Sequence, residues 1–274
     1  MSAVAPLLTH HIIGQLKTAI ARKDAVVECS LDLGRTTGLI TLTDSGFLWN
    51  AYDYALPETS KERTIYYWDQ SEFKPVARFT TSLVKLVPTN LGPPTFEIDG
   101  IKMLPTARTC PYQDAKTKVA LIEPRNKIIL DTCGGLGYFA AWCLAGSATR
   151  IVSYEKNPDV QWLRSLNPWS PNVGGRLELT LGDVTQHIKQ IASGTIDAAL
   201  HDPPRFAIAG DLYSNTFYTE LARVLKRGGR LFHYTGSPNK VSRGRNLAGE
   251  VITRLSAAGF SAQPIGDGVI AIRR

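Results

Sequence analysis

Four stretches of this chain carry an acid at or one residue past the end of a mainly apolar run. Ile128-Ile129-Leu130 ends on Asp131, and the turn Thr132-Cys133-Gly134-Gly135-Leu136-Gly137 follows. Ile151-Val152-Ser153-Tyr154 ends on Glu155, and residues 177–181 end on Gly182-Asp183. Residues 196–200 end on His201-Asp202-Pro203-Pro204-Arg205-Phe206. The chemistry these endings suit is that of a nucleotide pocket. Glycines let backbone approach a ligand, and a helix opening at Tyr138 presents unpaired N–H groups beside them. Glu155, 24 residues beyond Asp131, is spaced to accept hydrogen bonds from a ribose diol. Asp183 suits the exocyclic amine of an adenine. One such acid is also an ordinary helix cap. Four at successive strand ends point to a shared pocket.

Such acids meet only if their strands lie side by side, and the surrounding pattern predicts that they do. Residues 128–130 are consecutive, apolar and mostly β-branched, the mark of a short strand buried on both faces. From about Pro111 helices and strands alternate. Helices are expected over 113–123, 138–144, 159–166, 184–192, 217–225 and 247–258, with Gly228-Gly229 stopping the fifth. Strands are expected from 127, then over 151–154, 177–181, 196–200 and 230–234. This alternation builds a parallel α/β sheet with helices on both faces, and its ligands lie beyond the carboxyl ends of the strands. The finish differs: residues 260–265 and 269–272 flank Gly266-Asp267-Gly268, which predicts an antiparallel hairpin.

The first hundred residues have another texture. Leu7, Leu8, Ile12, Ile13, Leu16 and Ile20 recur at helical spacing and predict an amphipathic helix over 5–22. Residues 27–33 alternate as a half-buried strand, and 39–49 read as a hairpin around Asp44-Ser45-Gly46. Strands are also expected over 64–68 and 77–86. Asp99-Gly100, between 96–98 and 101–103, is the strongest hairpin signal in the chain. The expected organisation is a helix and mainly β module over 1–108 and an α/β domain over 109–274. The first holds no catalytic constellation.

Composition narrows the classes. The 274 residues carry the apolar and charged fractions of a soluble globular protein, and no apolar run nears the ~18 residues of a membrane helix. The start lacks the basic-then-apolar layout of a secretion signal, so a cytoplasmic protein is expected. Cys29, Cys110, Cys133 and Cys143 show neither CxxC spacing nor histidines at ligand distance, which predicts free thiols and no metal. Residues 212–274 hold ten Lys/Arg against three acids, enough to supply the whole net charge of +7. That excess reads either as a solubilising face or as a footprint for an anionic partner such as RNA. The fifth strand opens into Tyr234-Thr235-Gly236-Ser237-Pro238-Asn239-Lys240-Val241-Ser242-Arg243-Gly244-Arg245, at the pocket edge of the sheet. Lys240, Arg243 and Arg245 there suit phosphate contacts, though a solvated loop has the same composition. His201 and His233 sit within strands and read as core histidines.

On these residues, 127–274 resembles a class I S-adenosylmethionine-dependent methyltransferase domain. Asp131-x-Cys133-x-Gly135-x-Gly137 matches that family's acid-and-glycine motif, with Cys133 where its first glycine usually stands. Glu155 falls on the ribose acid and Asp183 on the adenine-contacting acid. The closing hairpin resembles the family's inserted seventh strand, so the resemblance implies a seven-stranded Rossmann-like sheet. With its leading β module the chain is similar to a group of predicted methyltransferases of unassigned substrate, a likeness carried by Asn167-Pro168-Trp169-Ser170 and His201–Phe206. The implied cofactor is S-adenosylmethionine, held by Asp131, Cys133, Gly134, Gly135, Gly137, Glu155, Gly182, Asp183 and Asp202. Asp202-Pro203-Pro204 resembles the tetrapeptide of enzymes that methylate exocyclic amines on nucleobases. There the carboxylate and the Pro203 carbonyl take the amine's hydrogen bonds, and the prolines hold the backbone rigid. Pro-Pro also simply ends strands. An aromatic normally fills the fourth place and stacks on the base; here Arg205 fills it and Phe206 follows. The expected reaction is N-methylation of a nucleobase amine in RNA, with Arg205, Tyr234, Lys240, Arg243 and Arg245 on the substrate side. Rivals are a methyltransferase acting on a small molecule, an aminopropyltransferase whose polyamine is lined by Asp114, Asp202 and Asp211, and a non-catalytic RNA-binding protein. Oligomeric state is not legible.

Overall fold

The computed structural model describes residues 5–107, 109–206, 209–236 and 246–274. They form two compact units. One runs to Tyr112 and also takes in Trp162–Trp169; the other comprises Gln113–Gln161 and Ser170–Arg274. The division is therefore not a single cut in the sequence.

In the first unit β1 (Leu7–Thr9) leads into α1 (His10–Ala21), followed by β2 (Val26–Cys29), β3 (Gly38–Leu42), β4 (Gly46–Trp49) and β5 (Tyr52–Ala55). Then come β6 (Ile65–Asp69), β7 (Glu72–Pro75), β8 (Ala77–Phe79), β9 (Leu83–Val87), β10 (Thr95–Ile98) and β11 (Ile101–Lys102). They make three antiparallel sheets, ordered β1-β6-β7, β2-β3-β4-β5 and β8-β9-β10-β11. The first helix starts later than its periodicity predicts. Leu8 and Thr9 pair with Tyr66 and Ile65 of β6, which claims them as strand. Thr9 then caps α1, its hydroxyl accepting from the Ile12 N–H at 3.3 Å. Ile13 and Leu16 of α1 are buried with Leu8, Ile40, Phe47, Tyr54 and Phe73. The Asp99-Gly100 turn joins β10 to β11 with both residues left-handed, at φ +49° and +76°, which matches the strands' twist.

The chain continues with α2 (Pro111–Ile122), β12 (Ile128–Asp131), α3 (Tyr138–Ala145), β13 (Arg150–Glu155), α4 (Pro158–Leu166), β14 (Leu177–Leu181) and α5 (Val184–His187). After these come β15 (Ile196–His201), α6 (Asn215–Val224), β16 (Leu225–Tyr234), α7 (Leu247–Ala257), β17 (Phe260–Ile265) and β18 (Gly268–Arg273). Seven strands form one mixed sheet in the order β14-β13-β12-β15-β16-β18-β17. The first five run parallel, while β18 is antiparallel to both of its neighbours. This is a seven-stranded Rossmann-like sheet closed by a C-terminal antiparallel hairpin. Its core joins Leu130, Ala199 and Leu231 from the strands to Phe217, Leu221, Val251 and Leu255 from α6 and α7.

Two expectations about helix ends are corrected. The fifth helix stops at Val224, and Gly228-Gly229 lies inside β16. Leu225 pairs with Ile196 and Arg230 with Ala198, so residues 226–229 bulge out of the ladder, with Gly228 at φ +76°. The glycines serve a strand irregularity, where the sequence suggested a helix stop. Similarly, the helix expected over 184–192 is α only to His187 and continues as a short 3-10 turn to Gln190.

Candidate active site

From β12 the chain winds out to β13 and β14 on one side and then to β15 and β16 on the other. The order reverses at β12, so the crevice beyond Asp131 is the topological switch point where such sheets bind ligands. The turn there is built by its glycines. Gly134 N–H donates to the Tyr154 carbonyl at 2.7 Å, and Gly137 N–H to the Gly134 carbonyl at 2.8 Å. Gly135 and Gly137 sit at φ +47° and +79°, which a side chain would strain, and α3 starts at once. Asp131 is buried and accepts from Ser153 Oγ at 2.8 Å. Cys133 is partly buried with Thr132 Oγ1 3.7 Å from its sulfur; burial holds its thiol well above the usual range and therefore neutral.

Glu155 is tied into the glycine turn. One of its oxygens accepts from Gly135 N–H and the other from Asn157 N–H, both at 2.8 Å. The acid of β13 thereby clamps the glycine turn of β12. Gly182 N–H donates back to the Glu155 carbonyl at 2.8 Å. A Cβ on Gly182 would lie 2.2 Å from His187 Nε2, whose ring stacks on Tyr154. Asp183 caps α5, accepting from Thr185 N–H at 2.9 Å and its hydroxyl at 2.7 Å, while Lys156 Nζ reaches the other oxygen at 2.8 Å. Burial works against the Asp183 carboxylate, but Lys156 and Thr185 outweigh it and leave its pKa below the ordinary range.

Beyond β15 lies a second cluster. Lys118 of α2 is 3% exposed. Its ammonium is 2.7 Å from Asp114 Oδ2, 3.7 Å from Asp202 Oδ2 and 4.0 Å from the centre of the Tyr234 ring. Burial opposes that charge, yet Asp202, Asp114 and Asp267 together hold its pKa above the ordinary lysine range. One cation cannot satisfy several acids. Burial, helped by Asp114, Asp267 and Asp131 and resisted by Lys118, pushes Asp202 up to about 6. Burial raises Asp114 as well, against the pull of Lys118. Sequence reading missed Lys118 and Asp267. The signal was present for the first: Lys118 shares with Ala115, Val119 and Ile122 the apolar stripe of α2, where a lysine is out of place.

Pro203 is buried beside Asp202, and the Pro204 carbonyl accepts from Tyr213 Oη at 3.1 Å. Phe206 turns its ring edgewise to Tyr213, 5.3 Å between centroids, and packs on the sheet's core. Arg205 and Asp211 are exposed. Lys240, Arg243 and Arg245 lie outside the described residues. His201 and His233 are fully buried. Thr132 Oγ1 and the Leu212 carbonyl satisfy His201 at 2.7 and 3.0 Å; Tyr218 Oη and the Tyr234 carbonyl satisfy His233 at 2.9 and 2.8 Å. Burial lowers His201 to about 4 and His233 well below its usual value, so both rings are neutral core groups.

Among the described residues of the basic tail, five cations are engaged within the fold. Arg223 pairs with Glu220 and donates to the Ile188 and Ile191 carbonyls. Lys226 pairs with Asp197, Arg230 with Glu123 and Arg254 with Glu250. Arg273 donates to the Ala222 and Gly259 carbonyls. The Asn167-Pro168-Trp169 stretch belongs to the first unit, where Trp169 Nε1 donates to the Leu33 carbonyl at 3.0 Å. Ser170 Oγ, in the second unit, donates to the Leu136 carbonyl at 2.8 Å. Among the described residues no helix is long and apolar enough to cross a membrane, and no three His, Cys, Asp or Glu are placed to hold a metal ion.

A switch-point crevice, a glycine turn held by an acid from the next strand and an antiparallel strand inserted beside the sheet's edge define a class I methyltransferase fold. A family model described as S-adenosyl-L-methionine-dependent methyltransferase matches residues 164–262, a span that includes Asp183, Asp202 and Tyr234. An uncharacterized protein of Methanocaldococcus jannaschii is 41% identical over 212 residues, covering 77% of this chain and 73% of that protein. The chain belongs to the S-adenosyl-L-methionine-dependent methyltransferase family and is an enzyme of that class. Solved structures share its fold. They include spermidine synthase from Thermotoga maritima (TM-score 0.54, 16% identity, 72% of this chain and 71% of that one). A spermidine synthase in complex with the transition-state analogue AdoDATO gives 0.56 at 17% identity, over 72% of each chain. MNMC2 from Aquifex aeolicus gives 0.52 at 19% identity, over 69% of this chain and 70% of that one.

Proposed function

We propose that this enzyme methylates an amine nitrogen and that the amine belongs to a nucleobase in RNA, with catalysis in the unit built on residues 109–274. The observation that carries the reading is the position of Asp202-Pro203-Pro204, at the carboxyl end of β15 and next to the glycine turn of β12. S-adenosylmethionine, the cofactor its family implies, fits the turn side of the crevice. Left-handed Gly135 and Gly137 open backbone there, with Cys133, Gly134 and Asp131 beside them. Glu155 and Asp183 lie along the same edge, with Gly182 between them. Glu155, whose two oxygens accept from the Gly135 and Asn157 N–H groups, is the acid we assign to the ribose diol. When bound, the cofactor supplies a sulfonium methyl whose S–C electron pair leaves on sulfur.

The chain's own residues handle the amine. Asp202 and the Pro203 carbonyl accept its N–H hydrogens and turn its lone pair outward. With a pKa of about 6 Asp202 is ionised at neutral pH, yet basic enough to take the proton that nitrogen sheds. Pro204 stiffens the strand end and lends its carbonyl to Tyr213. Phe206, in a T-shaped contact with Tyr213, is the aromatic we assign to stacking on the base. Arg205 and Tyr234, with Lys240, Arg243 and Arg245 further along the sequence, are assigned to the substrate side, the cations to phosphate. Free cysteines fit a reducing compartment, and we place the enzyme in the cytoplasm.

A second reading has a specific observation in its favour. Asp114, Asp202 and Asp267 act on one buried lysine, a field that attracts a small cationic amine. Two structures sharing the fold are spermidine synthases, which fits transfer to such an amine. The test offers methyl-labelled S-adenosylmethionine with bulk RNA and, separately, with spermidine. The RNA reading expects label in RNA, loss of turnover in D202A and cofactor affinity within a few-fold of wild type. It also expects affinity for RNA to fall by roughly 0.7 log units per log unit of salt for each phosphate contact, and neutralising Arg243 and Arg245 to shallow the slope by about 1.4. Unlabelled RNA, with binding weaker than about 10⁻⁴ M at physiological salt, moves the assignment to the small amine.

A further inference from the structure

We propose that Lys118 is a positioning residue for Asp202: its ammonium, pinned between Asp114 and the face of Tyr234, orients that carboxylate and keeps it anionic among like charges. The inference rests on Asp202 as the group that meets the acceptor. Three contacts fix the ammonium. Asp114, one turn before it on α2, holds it at 2.7 Å, and the Tyr234 ring backs it at 4.0 Å. The Phe139 ring lies at 5.9 Å. A lysine so buried adds little to stability in its own right, since desolvation offsets its pairing. Its effect is on its neighbours.

The distance to Asp202 gives that effect its form. At 3.7 Å from Oδ2 the ammonium is beyond hydrogen-bond length but well within electrostatic reach. It therefore stabilises the carboxylate without occupying the lone pairs an amine needs. Among the described residues, the acids that act on Asp202 work the opposite way. Asp114 comes from α2, Asp131 from β12 and Asp267 from the β17–β18 turn. Two phenols, Tyr234 at the end of β16 and Tyr213 from the 3-10 turn before α6, complete the surroundings. Among the described residues Lys118 is the cation acting on Asp202. Without it, a proton would occupy Asp202 near neutral pH and take the position the acceptor's N–H requires.

The experiment uses the full chain carrying ¹³C-labelled aspartate and follows each side-chain carboxyl carbon by NMR across pH; the Asp202 signal is the one lost in D202N. In K118M the Asp202 midpoint should rise by about one to three pH units, the effect of an opposite charge this close, and K118R should restore it. D114N, which removes a like charge and leaves Lys118 with Asp202 as its partner, should lower the midpoint. That measurement stands even where K118M does not fold. An unchanged midpoint in folded K118M, or an unchanged or raised one in D114N, overturns the proposal. The titration uses neither cofactor nor acceptor. Failure of the RNA assay therefore refutes the substrate reading alone, and failure of the titration refutes the role of Lys118 alone.

Discussion

Replacing Asp202 by Asn should make the protein more stable while removing its activity. Asp202 titrates at about 6 against an ordinary 3.8 for the side chain. The gap is roughly two units, and at about 1.36 kcal/mol each the folded state carries close to 3 kcal/mol of disfavoured charge. The sign follows from the protons. The folded chain holds its proton more tightly than the unfolded one, so stability falls as pH rises through the interval from 3.8 to about 6. Below that interval the carboxyl is neutral in both states and costs nothing; above it the full penalty stands. Asn keeps the shape and leaves an acceptor toward Lys118. Relative to wild type, D202N should gain up to about 3 kcal/mol at pH 8 and nothing near pH 3.5. Urea unfolding of both proteins at the two pH values measures the difference, and methyl transfer should vanish in the same variant. A variant no more stable than wild type at pH 8, or a difference that ignores pH, would refute the view that the fold holds this acid at a cost.

Other outcomes follow from single contacts. E155A removes the acceptor for the Gly135 and Asn157 N–H groups along with the proposed ribose contacts, and should weaken S-adenosylmethionine binding by roughly 1.5–3 kcal/mol; equal affinities by calorimetry would remove Glu155 from the site. Y218F leaves His233 Nε2 buried without its hydroxyl partner and should cost about 1–3 kcal/mol in denaturant unfolding. A loss near zero would mean that His233 finds another donor. G46A places a methyl 1.9 Å from the Tyr54 carbonyl, a backbone atom no rotamer change can move, so roughly 1–3 kcal/mol or more should be lost. Unaltered thermal unfolding of G46A would show that β4 and β5 can part without penalty.

Much of the sheet was legible because its signals are local. Ile128-Ile129-Leu130 fits a strand buried on both faces, and βα alternation then makes the sheet parallel and fixes where each strand's carboxyl end lies. The row Asp131, Glu155, Asp183 and Asp202 was therefore visible before any coordinates. So was the Asp99-Gly100 hairpin, whose turn depends on two backbone angles. Residues whose meaning depends on distant partners were not visible. Leu7–Thr9 has helical spacing, yet β6 claims it as a strand. Gly228-Gly229 looks like a helix stop until Ile196 and Ala198 show the ladder passing beneath a bulge. The cations after residue 212 read either as a solubilising face or as an anion-binding footprint. Only tertiary structure shows that Arg223, Lys226, Arg230 and Arg254 pair with Glu220, Asp197, Glu123 and Glu250. Lys118 shows the limit most directly. Periodicity places it on the buried stripe of α2, but a charge there has no meaning until Asp202, Asp267 and Tyr234 arrive from strand ends and a turn far along the chain. Residue types and spacing determine which groups reach the edge of the sheet. Packing decides which charges meet there and at what distance, and electrostatic energy depends on that distance.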